Sequence, residues 1–162
     1  MEDYKEFQDW AYDLFQEAYE NQMDGELDVA IELYRRSIAT YPTAEAHTFL
    51  GWAYSFQGKL DDAIEECKKA IQIDPEFGNP YNDIGAYLLE KSQHEEAIPW
   101  LIQASKAKRY QNCEFAHFNL GRAYIALEQF NKAMEEFEAA VRIKPDYEMA
   151  EEALLTLKKQ IQ

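Results

Sequence analysis

Three short blocks of this 162-residue chain are versions of one another. His47-Thr-Phe-Leu50-Gly51-Trp-Ala-Tyr54 returns as Tyr81-Asn-Asp-Ile84-Gly85-Ala-Tyr-Leu88 and again as His117-Phe-Asn-Leu120-Gly121-Arg-Ala-Tyr124, so the glycines stand 34 and 36 residues apart. A second motif, alanine followed four positions later by a larger residue, recurs at Ala30/Tyr34, Ala63/Cys67, Ala97/Leu101 and Ala133/Phe137, with spacings of 33, 34 and 36. A fixed period of this length means one supersecondary unit repeated and stacked on its neighbours, because no unit can bury its apolar face alone. The two extra residues of the longer interval fall between Ala97 and Gly121, around Lys108 to Cys113.

Each period reads as two helices. After Leu50-Gly51 the apolar residues keep helical spacing until Gln57-Gly58 breaks the run, and Ala63, Ile64, Cys67, Ala70 and Ile71 then step by three and four until Asp74-Pro75 stops them. The acidic pairs Asp61-Asp62, Glu95-Glu96 and Glu135-Glu136 are expected at the start of each second helix, where the helix dipole favours them. Gly51 and Ala63 are expected where the paired helices approach so closely that a larger side chain would push them apart. Tyr4, Phe7, Ala11, Leu14 and Ala18 predict a long first helix, and Ala150, Ala153, Leu154, Leu157 and Ile161 predict a final helix that shields the last repeat.

These blocks resemble the tetratricopeptide repeat family, with its W-x2-L-G-x2-Y, A-x3-F and terminal proline pattern. The resemblance covers roughly residues 11 to 147. It departs from the pattern at the first-position tryptophan, here Leu14, His47, Tyr81 and His117, and at the terminal proline, kept as Pro42, Pro75 and Pro145 but replaced by Arg109. Glu17-Ala18 stand where Leu-Gly would stand in the first unit, and Pro99 suggests a local bend in the third. The resemblance implies an all-α, right-handed α-solenoid of about four helix pairs. One domain, 1–162, would hold repeats at 3–43, 44–77, 78–113 and 114–147 and a capping helix at 148–162.

Sixteen basic against thirty-one acidic residues give a formal charge of −15, which disfavours nucleic acid and anionic lipid as partners. Ten acids and one base, Lys5, lie between Glu2 and Asp28, which suggests a partner with basic flanks or simply a solvated face. No apolar run is long enough for a membrane span, and the acidic N-terminus predicts a cytoplasmic protein. Cys67 and Cys113 form neither a zinc pattern nor a disulfide framework, with Cys67 expected in the core and Cys113 in a linker. No phosphate loop, nucleophile elbow or HExxH is present. His47 and His117 occupy one repeat position and are expected to pack between helices. The expectation is therefore no enzyme, no cofactor and no metal.

The resemblance further implies that the first helix of each unit lines a concave face. Read onto this chain, that face holds Tyr12, Phe15 and Tyr19, then Phe49, Trp52 and Phe56, then Asn82, then Phe115, Phe118, Asn119 and Arg122. Exposed rings in one groove call for a covering partner, although packing between helices accounts equally well for Tyr12, Phe15 and Phe118. Trp52, Phe49 and Phe56 are the strongest partner contacts, because Leu50, Ala53 and Tyr54 already supply the inward stripe, and Asn82, Asn119 and Arg122 are suited to a peptide backbone or carboxylate. The basic clamp with which some family members grip chaperone C-termini is missing: the matching positions hold Phe15, Tyr19, Phe49, Asn79 and Asp83.

The function expected is a non-catalytic adaptor that binds an extended or helical protein segment with apolar anchors. The alternatives are a secretion chaperone that masks apolar segments, or a self-associating assembly factor. Residues 81–145 resemble the repeats of type IV pilus pilotins, which carry a lipoprotein signal not seen here.

Overall fold

The structure is a computed structural model that describes residues 2–161, with side chains from Tyr4 onward. Every named element among the described residues is a helix: α1 (Glu2–Met23), α2 (Leu27–Thr40), α3 (Ala44–Phe56), α4 (Leu60–Ile73), α5 (Asn79–Glu90), α6 (His94–Lys106), α7 (Cys113–Ala126), α8 (Phe130–Ile143) and α9 (Glu148–Ile161). They divide into two compact units, Met1–Pro75 with α1 to α4 and Glu76–Gln162 with α5 to α9.

In the first unit α1 packs on α2 and α3 on α4, α2 joins the two pairs, and α1 also meets α3, so first helices of consecutive pairs are neighbours. Leu14, Ala18, Ala30, Ile31, Leu33, Tyr34, Leu50 and Ala53 form its core. In the second unit α5 pairs with α6 and α7 with α8, α6 packs on α7, α5 meets α7, and α9 closes on α8. Phe118, Ala133, Phe137, Ala140, Ala150, Leu154 and Leu157 make a core there. The expected helix pairs and final helix are thus present.

The turns inside the four pairs share one device. Gly25, Gly58, Ser92 and Glu128 all take positive φ, at 85°, 74°, 59° and 58°. A left-handed residue satisfies the last carbonyls of the first helix and reverses the chain, and glycine does this without the strain a Cβ brings.

Close approach explains the conserved spacing of small residues. A Cβ on Gly51 would lie 2.9 Å from the Ala63 carbonyl oxygen and 3.3 Å from Cys67 Sγ. On Gly121 it would lie 2.4 Å from the Phe137 ring. Leu155 occupies the matching position of α9, 34 residues after Gly121, and is 52% exposed.

Some expectations need correction. Acids do open α4 (Asp61, Asp62) and α6 (Glu95, Glu96), but α8 starts at Phe130 with none in its first turn. Glu135-Glu136 instead align with Glu65-Glu66, in mid-helix, where Glu136 bonds to His117. Cys113 is the first residue of α7 rather than part of a linker. The extra residues do fall between α6 and α7, where Arg109 replaces the terminal proline. Its amide donates to the Glu76 carbonyl (3.0 Å), its carbonyl accepts from Gly78 (3.1 Å), and its guanidinium lies 4.4 Å from the centre of the Phe77 ring.

Candidate functional site

Phe15 and Tyr19 are four residues apart on α1, and Phe49, Trp52 and Phe56 step by three and four on α3, so each set lies along one helix face. The contact between α1 and α3 brings the sets together. Ring centres run from Phe15 to Phe49 (5.2 Å), Phe49 to Trp52 (5.8 Å) and Trp52 to Phe56 (5.2 Å), with Tyr19 also 5.8 Å from Phe49. All four contacts are edge-to-face, the arrangement that the ring quadrupole favours. Tyr34 on α2 lies beneath, against Phe15 and Phe49 at 5.8 and 6.3 Å, and its hydroxyl donates to Gln22 Oε1 (2.9 Å). Burial, with a smaller contribution from Tyr19, pushes the Tyr34 phenol well above its ordinary range.

Exposure grows along this ladder. Phe15, Phe49 and Trp52 are half-buried, and Phe56 is 62% exposed. Tyr12, one turn before Phe15, is 61% exposed and stands at the mouth of a cavity of about 340 Å³ lined also by Gln8, Ala11, Phe15, Ser37 and Tyr41. Ser37 Oγ closes its floor by donating to the Ala11 carbonyl (2.7 Å).

The second unit holds the polar residues. Asn119 Nδ2 donates to Asn82 Oδ1 (3.0 Å), and Arg122 Nη1 donates to Asn119 Oδ1 (3.0 Å), which links α5 to α7 and leaves Arg122 exposed. Phe118, by contrast, is only 9% exposed and packs against Phe137 and Tyr147 at 5.8 and 5.2 Å, so in the free chain it is a core ring. Phe115 is half-buried with its ring 5.4 Å from that of Tyr147. A groove of about 630 Å³ between α7 and α9 is lined by Phe118, Arg122, Ile125, Met149 and Leu157.

Beside the asparagines lies an ionisable cluster that the sequence reading did not single out. Burial pushes the Asp83 carboxyl up to about 7, against a hydrogen bond with Asn82 that works the other way. Tyr110, from the loop before α7, is driven far above its ordinary range by burial, then by the charges of Asp83, Cys113, Glu114 and Tyr147. Burial and Glu114 raise Tyr147, while Arg122 lowers it.

The two histidines prove to be clips between paired helices. His47 Nδ1 lies 2.6 Å from Glu66 Oε2, and His117 Nδ1 lies 2.6 Å from Glu136 Oε2. Burial alone would raise the Glu66 carboxyl, but hydrogen bonds from His47 and Lys69 hold it below the usual range. The same 19-residue offset separates Leu14 from Leu33, two members of one core, and Tyr81 from Trp100, whose ring centres lie 6.2 Å apart, so its recurrence was the available sequence signal.

Among the described residues, no group of three or more His, Cys, Asp or Glu side chains could hold a metal ion, and no helix is long and apolar enough to cross a membrane.

Comparison with known proteins adds identity. Residues 44–77 and 114–147 each match a family model of the tetratricopeptide repeat. Type IV pilus assembly protein PilF of Pseudomonas aeruginosa is 28% identical over 110 residues, which cover 67% of this chain and 44% of that protein. Human mitochondrial import receptor subunit TOM70 is 26% identical over 143 residues, covering 86% and 23%. A solved structure of Pseudomonas aeruginosa PilF superposes with a TM-score of 0.88 at 24% identity, over 94% of this chain and 70% of that one. The chain spans less than half the length of these curated relatives. The fold is an α-solenoid of helix pairs with a final helix.

Proposed function

Because the chain belongs to the tetratricopeptide-repeat proteins, which mediate protein–protein interaction, we propose that it is a non-catalytic adaptor that captures a segment of another protein on the ring face of α1 and α3. The observation that carries the reading is the ladder Phe15, Phe49, Trp52, Phe56, which runs from the core to a largely exposed ring. Burying a large apolar side chain contributes about 1.5–3 kcal/mol, so a ladder that stops in solvent is complementary to apolar anchors of a partner. Rings already locked edge to face lose little freedom when such a partner arrives. Of the polar residues in the second unit, Asn119 is buried and bonded to both Asn82 and Arg122, which leaves Arg122 as the exposed one.

The test is Trp52→Ala combined with Phe56→Ala, with capture of protein partners from the source cell lysate identified by mass spectrometry. Capture should fall by tenfold or more, about 1.4 kcal/mol, while helicity stays unchanged. Unaltered capture by a folded variant would sink the reading. A second reading, an assembly factor of the pilus kind, is supported by the 28% identity to PilF over 110 residues. It predicts that the captured partners are envelope or pilus components.

A further inference from the structure

We infer that the cavity lined by α1, α2 and the start of α3 receives one large apolar side chain of the bound segment, carried there between lysine or arginine residues. The inference rests on the protein-binding reading and specifies one anchor of the partner. Phe15 belongs both to the ring ladder and to the cavity wall, so a segment laid along Phe56, Trp52 and Phe49 meets the cavity where it reaches Phe15. The volume of about 340 Å³ sits near the lower end of the range for ligand pockets, about 300–1,000 Å³, which suits a single side chain. Ala11 and the rings of Tyr12, Phe15 and Tyr41 make the lining largely carbon. Its two hydroxyls each already make a hydrogen bond: Ser37 Oγ donates to the Ala11 carbonyl (2.7 Å), and Thr43 Oγ1 accepts from the Ala46 amide (3.1 Å). A polar guest would forfeit its bonds to water there, whereas an apolar one gains by leaving water.

The walls are held before any guest arrives. The Tyr41 ring meets that of Tyr4 edge to face with centres 5.9 Å apart, Phe15 is fixed between Tyr34 and Phe49 at 5.8 and 5.2 Å, and Ser37 is fully buried. Entry therefore orders little besides the guest itself and the exposed Tyr12. Charge selects what flanks the guest. Residues 2–56, which span the three helices, hold twelve acids against Lys5, Arg35 and Arg36, and Arg35 is already donating to Tyr54 Oη (2.8 Å). Glu45 contributes to the cavity lining, and Asp9 and Asp13 stand exposed on α1 directly after Gln8 and Tyr12, two further lining residues. An apolar anchor between cations is drawn to such a mouth, and the same anchor between acids is repelled.

The test titrates the full chain at low ionic strength with three N-acetylated, C-amidated tripeptides, Lys-Trp-Lys, Glu-Trp-Glu and Lys-Ala-Lys, and follows the NMR shift of the Ala11 methyl. Lys-Trp-Lys should bind about tenfold more tightly than either of the others, and its indole protons should show nuclear Overhauser contacts to the Ala11 and Thr43 methyls. Tyr12→Ala, checked for folding by thermal melting, should weaken that binding by about threefold or more, and Tyr12→Phe should keep it. Comparable binding of Glu-Trp-Glu or Lys-Ala-Lys, an indole that never touches the two methyls, or undiminished binding by a folded Tyr12→Ala chain would overturn the inference. Tryptamine binding as tightly as Lys-Trp-Lys would assign the cavity to small aromatic amines and overturn it too. Trp52→Ala/Phe56→Ala must retain the indole contacts. Lost capture with retained contacts supports both readings, retained capture with retained contacts sinks the ring face alone, and lost capture with no contacts in the parent sinks the cavity alone.

Discussion

Replacing Gly121 by alanine separates close packing from helix propensity, because the two act in opposite directions. An alanine in place of a helical glycine ordinarily gains about 1 kcal/mol. Here the new methyl would sit 2.4, 2.6 and 2.8 Å from three atoms of the Phe137 ring. Relaxed carbon contacts begin near 3.5 Å, so the shortfall is about 1 Å. Phe137 is almost fully buried among Phe118, Leu154 and Leu157, so the ring has no open side to turn toward, and α7 must lift from α8. Overpacking costs about 1–3 kcal/mol, and a shortfall near 1 Å with no room to relax belongs to the upper half of that range, about 2–3 kcal/mol, which leaves a net destabilisation of ~1–2 kcal/mol after the helix gain. Urea denaturation followed by circular dichroism measures it. On a Phe137→Ala background the ring is gone, and the same change should be neutral or stabilising by up to ~1 kcal/mol. A Gly121→Ala chain as stable as the parent would refute the close-approach argument.

Three further outcomes follow from the geometry. Glu66→Gln should cost ~1–3 kcal/mol at pH 7, because it removes charge from bonds to His47 and Lys69. Since folding holds the Glu66 carboxyl below its unfolded value, that stability is present above the unfolded pKa and lost as pH falls through the folded one, so parent and variant should converge in acid melts. Asp83 has the opposite sign: its carboxyl is raised from 3.8 to about 7, so its contribution fades as pH rises through that window. Asp83→Asn should therefore melt higher than the parent at pH 8 but not at pH 4, by ~1–2 kcal/mol once partial exposure is discounted from a ceiling near 4. Glu128→Gly should stabilise by ~0.5–1 kcal/mol in the same melts, because φ there is +58°.

How far the sequence could be read depended on what its period controls. Helix pairing, the turn glycines, the close-packed Gly51 and Gly121 and the place of the insertion all follow from residues that repeat in step, and each is found where the spacing puts it. The ring ladder was legible for the same reason, since 3- and 4-residue steps within α1 and α3 fix which rings share a face. Depth was not. Phe118 and Phe49 occupy nearby repeat positions, yet Tyr147 and Phe137 close over the first while the second stays half open. Glu135-Glu136 misled because an acidic pair looks alike at a helix start and in mid-helix, and only the offset to His117 distinguishes them. The cluster of Asp83, Tyr110 and Glu114 was invisible because Tyr110 belongs to the insertion, which has no counterpart in the other repeats.

Leu155 sets a boundary condition on any larger assembly. On α3, α5 and α7 the glycine notch admits a partner helix to within a carbon's breadth of the backbone, whereas on α9 a branched side chain projects from that spot into solvent. A further helix joining there cannot reuse the same seat and must ride over the isobutyl group, at a wider separation.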